Sequence, residues 1–224
     1  TATTLASDLD AGIKTMTVAD ASTFPDEGSV IIGTEVIVRD SSALAVGTEV
    51  AQIAAISSNR CIGKNNELPW HISQDLQHFK KMTTRDSQNT ASSSDIQGIV
   101  IMGRKTFESM GSKPLPKRVC FIISTQMDYA EQQGLVGHEY AHVVHNLDDA
   151  LTHAASLAHG LHLETIWVIG GERVFSEALM YTDRIELTHV DTDITDGDAF
   201  YPELPDRFKV AEESEQMHDE KSNL

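Results

Sequence analysis

"GIVIMGRKTFESM" (residues 98–110) holds a strand, a glycine and the opening of a helix. Ile99, Val100, Ile101 and Met102 form an unbroken apolar run, bounded by glycines and short enough to be a strand buried on both faces. After Gly103, the residues Arg104, Lys105 and Thr106 start a helix, where free backbone N–H groups and the helix dipole favour an anion. The pattern returns in "IWVIGGERVF" (residues 166–175), where Gly170 and Gly171 let backbone approach a ligand closely. Taken singly, either junction is equally a plain tight turn. Neither is a G-x-G-x-x-G fingerprint, so an ordinary dinucleotide-binding fold is not supported. Two such junctions in one acidic chain, with Arg104 and Lys105 among its scarce bases, tilt the reading toward a dinucleotide.

From Val50 onward, strand and helix patterns alternate as in an α/β layer fold. "VAQIAAIS", "GIVIMG", "RVCFIIST" and "TIWVIGG" read as strands, with helices over 72–82, from 104, over 147–159 and from 172. "DRIELTHVDTDI" and "FKVAEESEQM" add two strands. The segment 83–98 is rich in Ser, Thr, Asn and Asp and reads as a surface loop. Residues 1–48 have a different texture. "KTMTVAD" and "GSVIIGTEVIVRD" resemble strands joined by the turn "STFPDEG", and "DSSALAVGTE" resembles a linker. The domain reading is therefore a β-rich extension over 1–48 and an α/β domain over 49–224.

The chain of 224 residues, 40% hydrophobic, is long enough for a real core. Thirty-four acidic residues against 17 Lys and Arg give a net charge of −17, which disfavours nucleic acid as a partner. No apolar run reaches the length of a membrane span, and residues 1–20 lack a signal-peptide pattern. Cys61 and Cys120 stand far apart, as suits a reducing cytoplasm, and the ten histidines show no ligand spacing, so no metal is expected.

"ELPWHISQDLQHFKKM" (residues 67–82) puts Ile72, Leu76, Phe79 and Met82 on one helical stripe, with Asp75 beside it. A carboxylate next to an apolar surface is costly unless paired. Either the helix N-terminus satisfies it, with Ser73 as a cap, or a ligand does.

The long motifs "IAAISSNRCIGKNNELPWHISQDLQHFK", "IVIMGRKTFESMGSKPLPKR", "IWVIGGERVF" and "LTHVD", in that order, resemble dihydrofolate reductase over about residues 51–224. The resemblance implies a three-layer αβα fold around a mostly parallel sheet. It also implies NADPH-dependent reduction of 7,8-dihydrofolate to tetrahydrofolate, by hydride transfer to C6 and protonation at N5, in a cytoplasmic monomer that binds antifolate-type molecules. By resemblance, Asp75 holds the pterin, Thr188 hydrogen-bonds Asp75, and Trp70 binds an ordered water, with Leu68 beside it in the catalytic set. Ile53, Ala55, Leu76 and Phe79 are expected to wall the substrate, together with Met110, Leu115 and Ile169. Arg118 would pair with the α-carboxylate of the glutamate tail in a forked geometry that lysine cannot reproduce.

For the cofactor, the resemblance implies Ala55, Ile62 and Ile169 around the nicotinamide. The pyrophosphate would lie against Gly103 to Thr106 (Arg104 and Lys105 between them) and against Gly170, Gly171, Glu172, Arg173, Val174 and Phe175, with a cis peptide joining the two glycines. Arg104, Ser124 and Thr125 are the candidates for the 2′-phosphate. Residues 59–70 correspond to a loop closing over the nicotinamide, with Gly63 its flexible point and the segment around Asp198 its contact.

Three departures stand out. The family's terminal, aromatic-rich strand, which pairs back on the preceding one, has no counterpart in "HDEKSNL". The loop over 83–98 is long. Residues 1–48 are additional, and could be a docking element for another protein, a fusion or a filler for the missing strand. The alternatives are a riboflavin-pathway-type reductase, disfavoured by Asp75, and a reductase-fold structural or binding module without turnover.

Overall fold

The computed structural model describes residues 30–39, 48–84, 95–215 and 217–219. In chain order its elements are β1 (Val30–Arg39), β2 (Glu49–Ser57), β3 (Cys61–Gly63), α1 (Ser73–Thr83), β4 (Gly98–Gly103), α2 (Arg104–Ser109), β5 (Arg118–Ile123) and α3 (Tyr129–Gln132). They continue with β6 (Ala141–Val144), α4 (Leu147–Leu161), β7 (Thr165–Val168), α5 (Glu172–Ala178), β8 (Arg184–Val190), β9 (Ala199–Phe200), β10 (Phe208–Glu213) and β11 (Met217–Asp219).

The alternation of side chains along a strand decides which layer each residue feeds. In β4, Ile99 and Ile101 join the core beneath α4 and α5, to which Ala150, Ala154, Ala158, Val174 and Phe175 contribute. Val100 and Met102 face the other way, toward Phe107 of α2 and the Phe79 and Met82 stripe of α1. Every residue of β4 from Gly98 to Met102 is buried, as a strand between two helical layers must be. The sheet runs β10-β1-β8-β2-β7-β4-β5-β6. From β8 to β6 all neighbours are parallel.

Beyond β8 the pairing reverses. β1 lies between β8 and β10, antiparallel to both, with Thr34 opposite Thr188 and Glu35 opposite Glu213. Its first residues, from Val30 to Ile32, pair with β11. Ile37 is buried in the main core, so this strand contributes packing as well as ladder bonds. The N-terminal segment thus supplies a strand to the same sheet as the rest of the described chain. The other anticipated strand, over 14–20, the linker over 40–47 and the loop residues 85–94 lie outside the described residues.

Several boundaries differ from those read in the sequence. α1 starts at Ser73, with Ile72 as its N-cap and no side-chain capping bond, so Ser73 is a first-turn residue and not the cap. Ile72 is buried with Trp70 and Val190, and that packing fixes the helix entry instead. β8 ends at Val190, and "DTDI" turns away to meet the loop after β2. The edge strand β6 and the short pair β3–β9 carry too little periodicity to be seen beforehand.

Candidate active site

Asp75 sits in the first turn of α1, half-buried against the sheet. Thr188, itself buried on β8, donates its hydroxyl hydrogen to the Asp75 carboxylate. Burial pushes the Asp75 carboxyl above the usual range, and the Thr188 hydrogen bond and the nearby His78 only partly offset this. Thr188 is opposite Ala55 in the parallel β2–β8 ladder, and Ile53 is opposite Glu186. The wall residues Ile53 and Ala55 therefore share one face of the sheet with Thr188. Phe79, Met110, Leu115 and Ile169 belong to the apolar cluster on that same side. Leu76 is 41% exposed and Leu68 is 56% exposed, so both stand at the rim, not in the packed wall.

Trp70 is buried, and its Nε1–H has no acceptor among the described residues. Such a donor is expensive unless a water or a ligand accepts from it.

At the far end of α1, Arg118 is buried at the start of β5. Its Nη1 donates to Thr83 Oγ1 at 2.7 Å, its Nε donates to Pro116 O at 3.1 Å, and its guanidinium lies 5.7 Å from the centre of the Phe79 ring. It has no carboxylate partner among the described residues, and desolvation lowers its pKa. Gly98, opposite Arg118 in the ladder, makes this approach possible: a Cβ there would lie 2.1 Å from the Thr83 carbonyl oxygen. Thr83 was not singled out in the sequence, because its role arises only where the helix end meets a strand 35 residues on.

The two glycine junctions come together. The Gly103 N–H donates to Gly170 O at 2.7 Å, and the Gly170–Gly171 peptide is cis. Gly170 has φ +111°, and a Cβ on it would lie 2.9 Å from the Phe175 ring. A Cβ on Gly171 would meet Thr106 Oγ1 at 3.2 Å. At Gly170 only bare backbone fits. Both α2 and α5 begin at these glycines without a side-chain cap, so their first N–H groups remain available to a ligand. Val174 and Phe175 are buried in the core and offer only backbone. Arg173 points into solvent and pairs with Glu177 at 2.6 Å. Glu172 accepts the Phe200 N–H at 3.2 Å, which ties this junction to β9.

Arg104 makes an ion pair within its own helix. Its Nη1 donates to both Glu108 carboxylate oxygens, at 2.8 and 2.9 Å, and its guanidinium lies 5.9 Å from the Tyr129 ring centre. The i,i+4 spacing of Arg104 and Glu108 was a legible signal for that pair. Lys105 is exposed and makes no ion pair among the described residues. Ser124 is buried and its hydroxyl accepts the Gln126 N–H, whereas Thr125 is exposed.

The loop after β2 is pinned by the segment around Asp198. The Asp198 N–H donates to Gly63 O at 3.1 Å, the Asn65 N–H donates to the Asp198 carboxylate at 2.9 Å, and Lys64 pairs with Asp196. Ile62 packs against the main core from this loop.

Comparison with known proteins agrees with this geometry. The family model described as dihydrofolate reductase matches residues 49–224. Dihydrofolate reductase of Bacillus subtilis is 34% identical over 174 residues, covering 77% of this chain and 88% of that protein. The enzyme of Haemophilus influenzae is 35% identical over 152 residues, covering 68% and 78% respectively. A solved dihydrofolate reductase from Enterococcus faecalis, complexed with NADP(H) and RAB-propyl, superposes with a TM-score of 0.54 at 31% identity, covering 70% of this chain and 78% of that one. The strand β1 lies before the matched span.

Proposed function

The chain belongs to the dihydrofolate reductase family, and on that premise we propose that Asp75, held by Thr188, is the group around which it reduces 7,8-dihydrofolate to 5,6,7,8-tetrahydrofolate. The observation that carries the reading is a carboxylate on a mostly apolar wall whose protein partner is a neutral hydroxyl. A pterin presenting its 2-amino group and the adjacent ring nitrogen supplies the hydrogen bonds that such a carboxylate lacks.

The paired glycine junctions, with their uncapped helix starts and no room for side chains, fit the pyrophosphate of NADPH. Bound NADPH supplies the hydride that the pterin receives at C6. The chain's own work is binding, orientation and proton management. Gly103, Thr106, Gly170 and Gly171 would hold the pyrophosphate through backbone. Arg104, paired with Glu108, would meet a 2′-phosphate together with Ser124 and Thr125. Ala55 and Ile62 would border the nicotinamide.

Ile53, Phe79, Met110 and Leu115 would exclude water beside the reacting carbon. Asp75 fixes the pterin and favours uptake of a proton at N5, delivered by water. Trp70 offers its unpartnered Nε1–H to such a water. Arg118, buried without a carboxylate among the described residues, would receive the α-carboxylate of the glutamate tail.

No helix among the described residues is long and apolar enough to cross a membrane. Both cysteines are free and buried, which supports a cytoplasmic setting.

The test is NADPH oxidation followed by absorbance, with and without dihydrofolate, for the intact chain and for Asp75→Asn. The expected result is dihydrofolate-dependent turnover, reduced on the order of a hundredfold or more in kcat/KM at neutral pH by the substitution. Equal turnover by the two proteins would remove Asp75 from the mechanism.

A further inference from the structure

We propose that Tyr201, acting through Gln52, is a positioning residue for the cofactor junction: its hydroxyl fixes the seat of Phe175 beside Gly170 and ties that seat to the loop from which Ile62 would border the nicotinamide. The inference rests on the reading of the Gly170–Gly171 turn as the pyrophosphate site.

A buried polar cluster outside the site described above carries it. Gln52 and Thr182 are 0% exposed and Tyr201 is 2% exposed. Gln52 lies between Ala51 and Ile53 on β2, so it points away from the face that carries Ile53 and Ala55, toward the core that holds Phe175 and Tyr201. Its Nε2 donates to Phe175 O at 3.1 Å and to Thr182 Oγ1 at 2.8 Å, and its Oε1 accepts the Tyr201 hydroxyl at 2.5 Å. Thr182 donates its own hydrogen to Ala178 O at 2.8 Å. A carbonyl only accepts, so the amide nitrogen of Gln52 must face Phe175, and its oxygen is left for the phenol. Burial pushes the Tyr201 phenol far above its usual range, so it stays a donor.

Tyr201 reaches the site by two routes. Its ring centre lies 5.0 Å from that of Phe175, and the Phe175 ring is the group that a Cβ on Gly170 would meet at 2.9 Å. Phe175 is thus held at its carbonyl by Gln52 and at its ring by Tyr201. On the other side, the Tyr201 N–H donates to Arg60 O at 2.8 Å, in the loop after β2. The two residues before Tyr201 form β9, which pairs with β3 of that loop, and the Phe200 N–H is accepted by Glu172 in the first turn of α5.

An apolar pair of similar size would fill this space without the cost of burying polar atoms. Hydrogen bonds add direction, and a fully satisfied buried network holds its members in one arrangement. That arrangement sets where Gly170 and the first N–H groups of α5 stand relative to the nicotinamide loop. Loosening it should reach the cofactor before the substrate, because Asp75 and Arg118 lie on the α1 side of the sheet.

The experiment is a double-mutant cycle on the full chain with Tyr201→Phe and Gln52→Met, each close in size to the residue it replaces. Affinities for NADPH and for a dihydrofolate analogue are read by titration calorimetry, and either folded single variant suffices for the comparison of ligands. Each single substitution should raise the Kd for NADPH about threefold to tenfold, and that for the analogue by less than about twofold. The double variant should match Gln52→Met, because both changes remove the same link. A merely structural pair would lower the melting temperature and leave NADPH affinity in place, or weaken both ligands equally. Either result, or losses that add in the double variant, overturns the proposal. Failure of the pyrophosphate reading is a separate outcome, visible as unchanged NADPH affinity in Gly170→Ala whatever the Tyr201 variant does.

Discussion

Between β8 and β6, neighbouring strands run parallel and bury apolar side chains on both faces, whereas between β8 and β10 they run antiparallel and carry charge. In the parallel part, β4 and β5 hold apolar residues between helical layers and end at turns that leave backbone open to a ligand. In the antiparallel part, Glu35 is directly opposite Glu213, a repulsive pair. Nε2 of His189 on β8 lies 3.0 Å from the Glu35 carboxylate. The first part is specified by burial, and the second depends on cross-strand partners. The candidate site straddles the seam: its glycine junctions belong to the parallel part, and Thr188 belongs to β8, the strand at which the pairing reverses.

This division predicts different consequences for damage on either side. Gly170→Ala strikes the parallel part. The new Cβ must adopt φ near +111° and meet the buried Phe175 ring, so a stability loss of about 2 kcal/mol is expected. NADPH affinity should fall by roughly tenfold or more. Binding of a dihydrofolate analogue should fall much less, because Asp75 and Arg118 lie away from Gly170. Equal losses for the two ligands, measured by titration calorimetry, would break the distinction between a cofactor half and a substrate half.

A subtler effect sharpens it from the seam. The Asp75 carboxyl titrates above the ordinary carboxylate range, because its charged form is desolvated. A folded-state pKa above the unfolded one means that the native chain binds the extra proton. Stability therefore falls as pH rises from the unfolded value through the raised one. Ligand-free Asp75→Asn should consequently be more stable than the native chain at neutral pH, and the advantage should vanish below the ordinary carboxylate pKa. Urea denaturation at several pH values reads this directly. A variant less stable at every pH would show that Asp75 contributes to the fold instead of to the ligand.

The parallel part was the legible one. Its strands announced themselves as short apolar runs, and Gly103 and Gly170 marked the turns, because burial on both faces leaves a local pattern. Asp75 was visible as an acid beside an apolar stripe, and its pairing with Thr188 followed from the family resemblance. What could not be read was every contact made across the sheet. "VIIGTEVIVR" was recognisable as a strand, but nothing within it says that it lies between β8 and β10, more than 140 residues on. Likewise, Thr83 became a functional candidate only through Arg118, a neighbour far away in sequence. The Arg104–Glu108 pair, by contrast, was legible from its i,i+4 spacing alone.

The central claim is that one sheet, completed by β1, supports both halves of the site. Its most direct test is dihydrofolate-dependent NADPH oxidation by the intact chain and by a chain lacking residues 1–39, the latter with and without a peptide covering residues 28–40. The account predicts turnover by the intact chain, its loss in the shortened one as β8 and β10 lose their common partner, and partial recovery with the peptide. Full turnover by the shortened chain alone would contradict it.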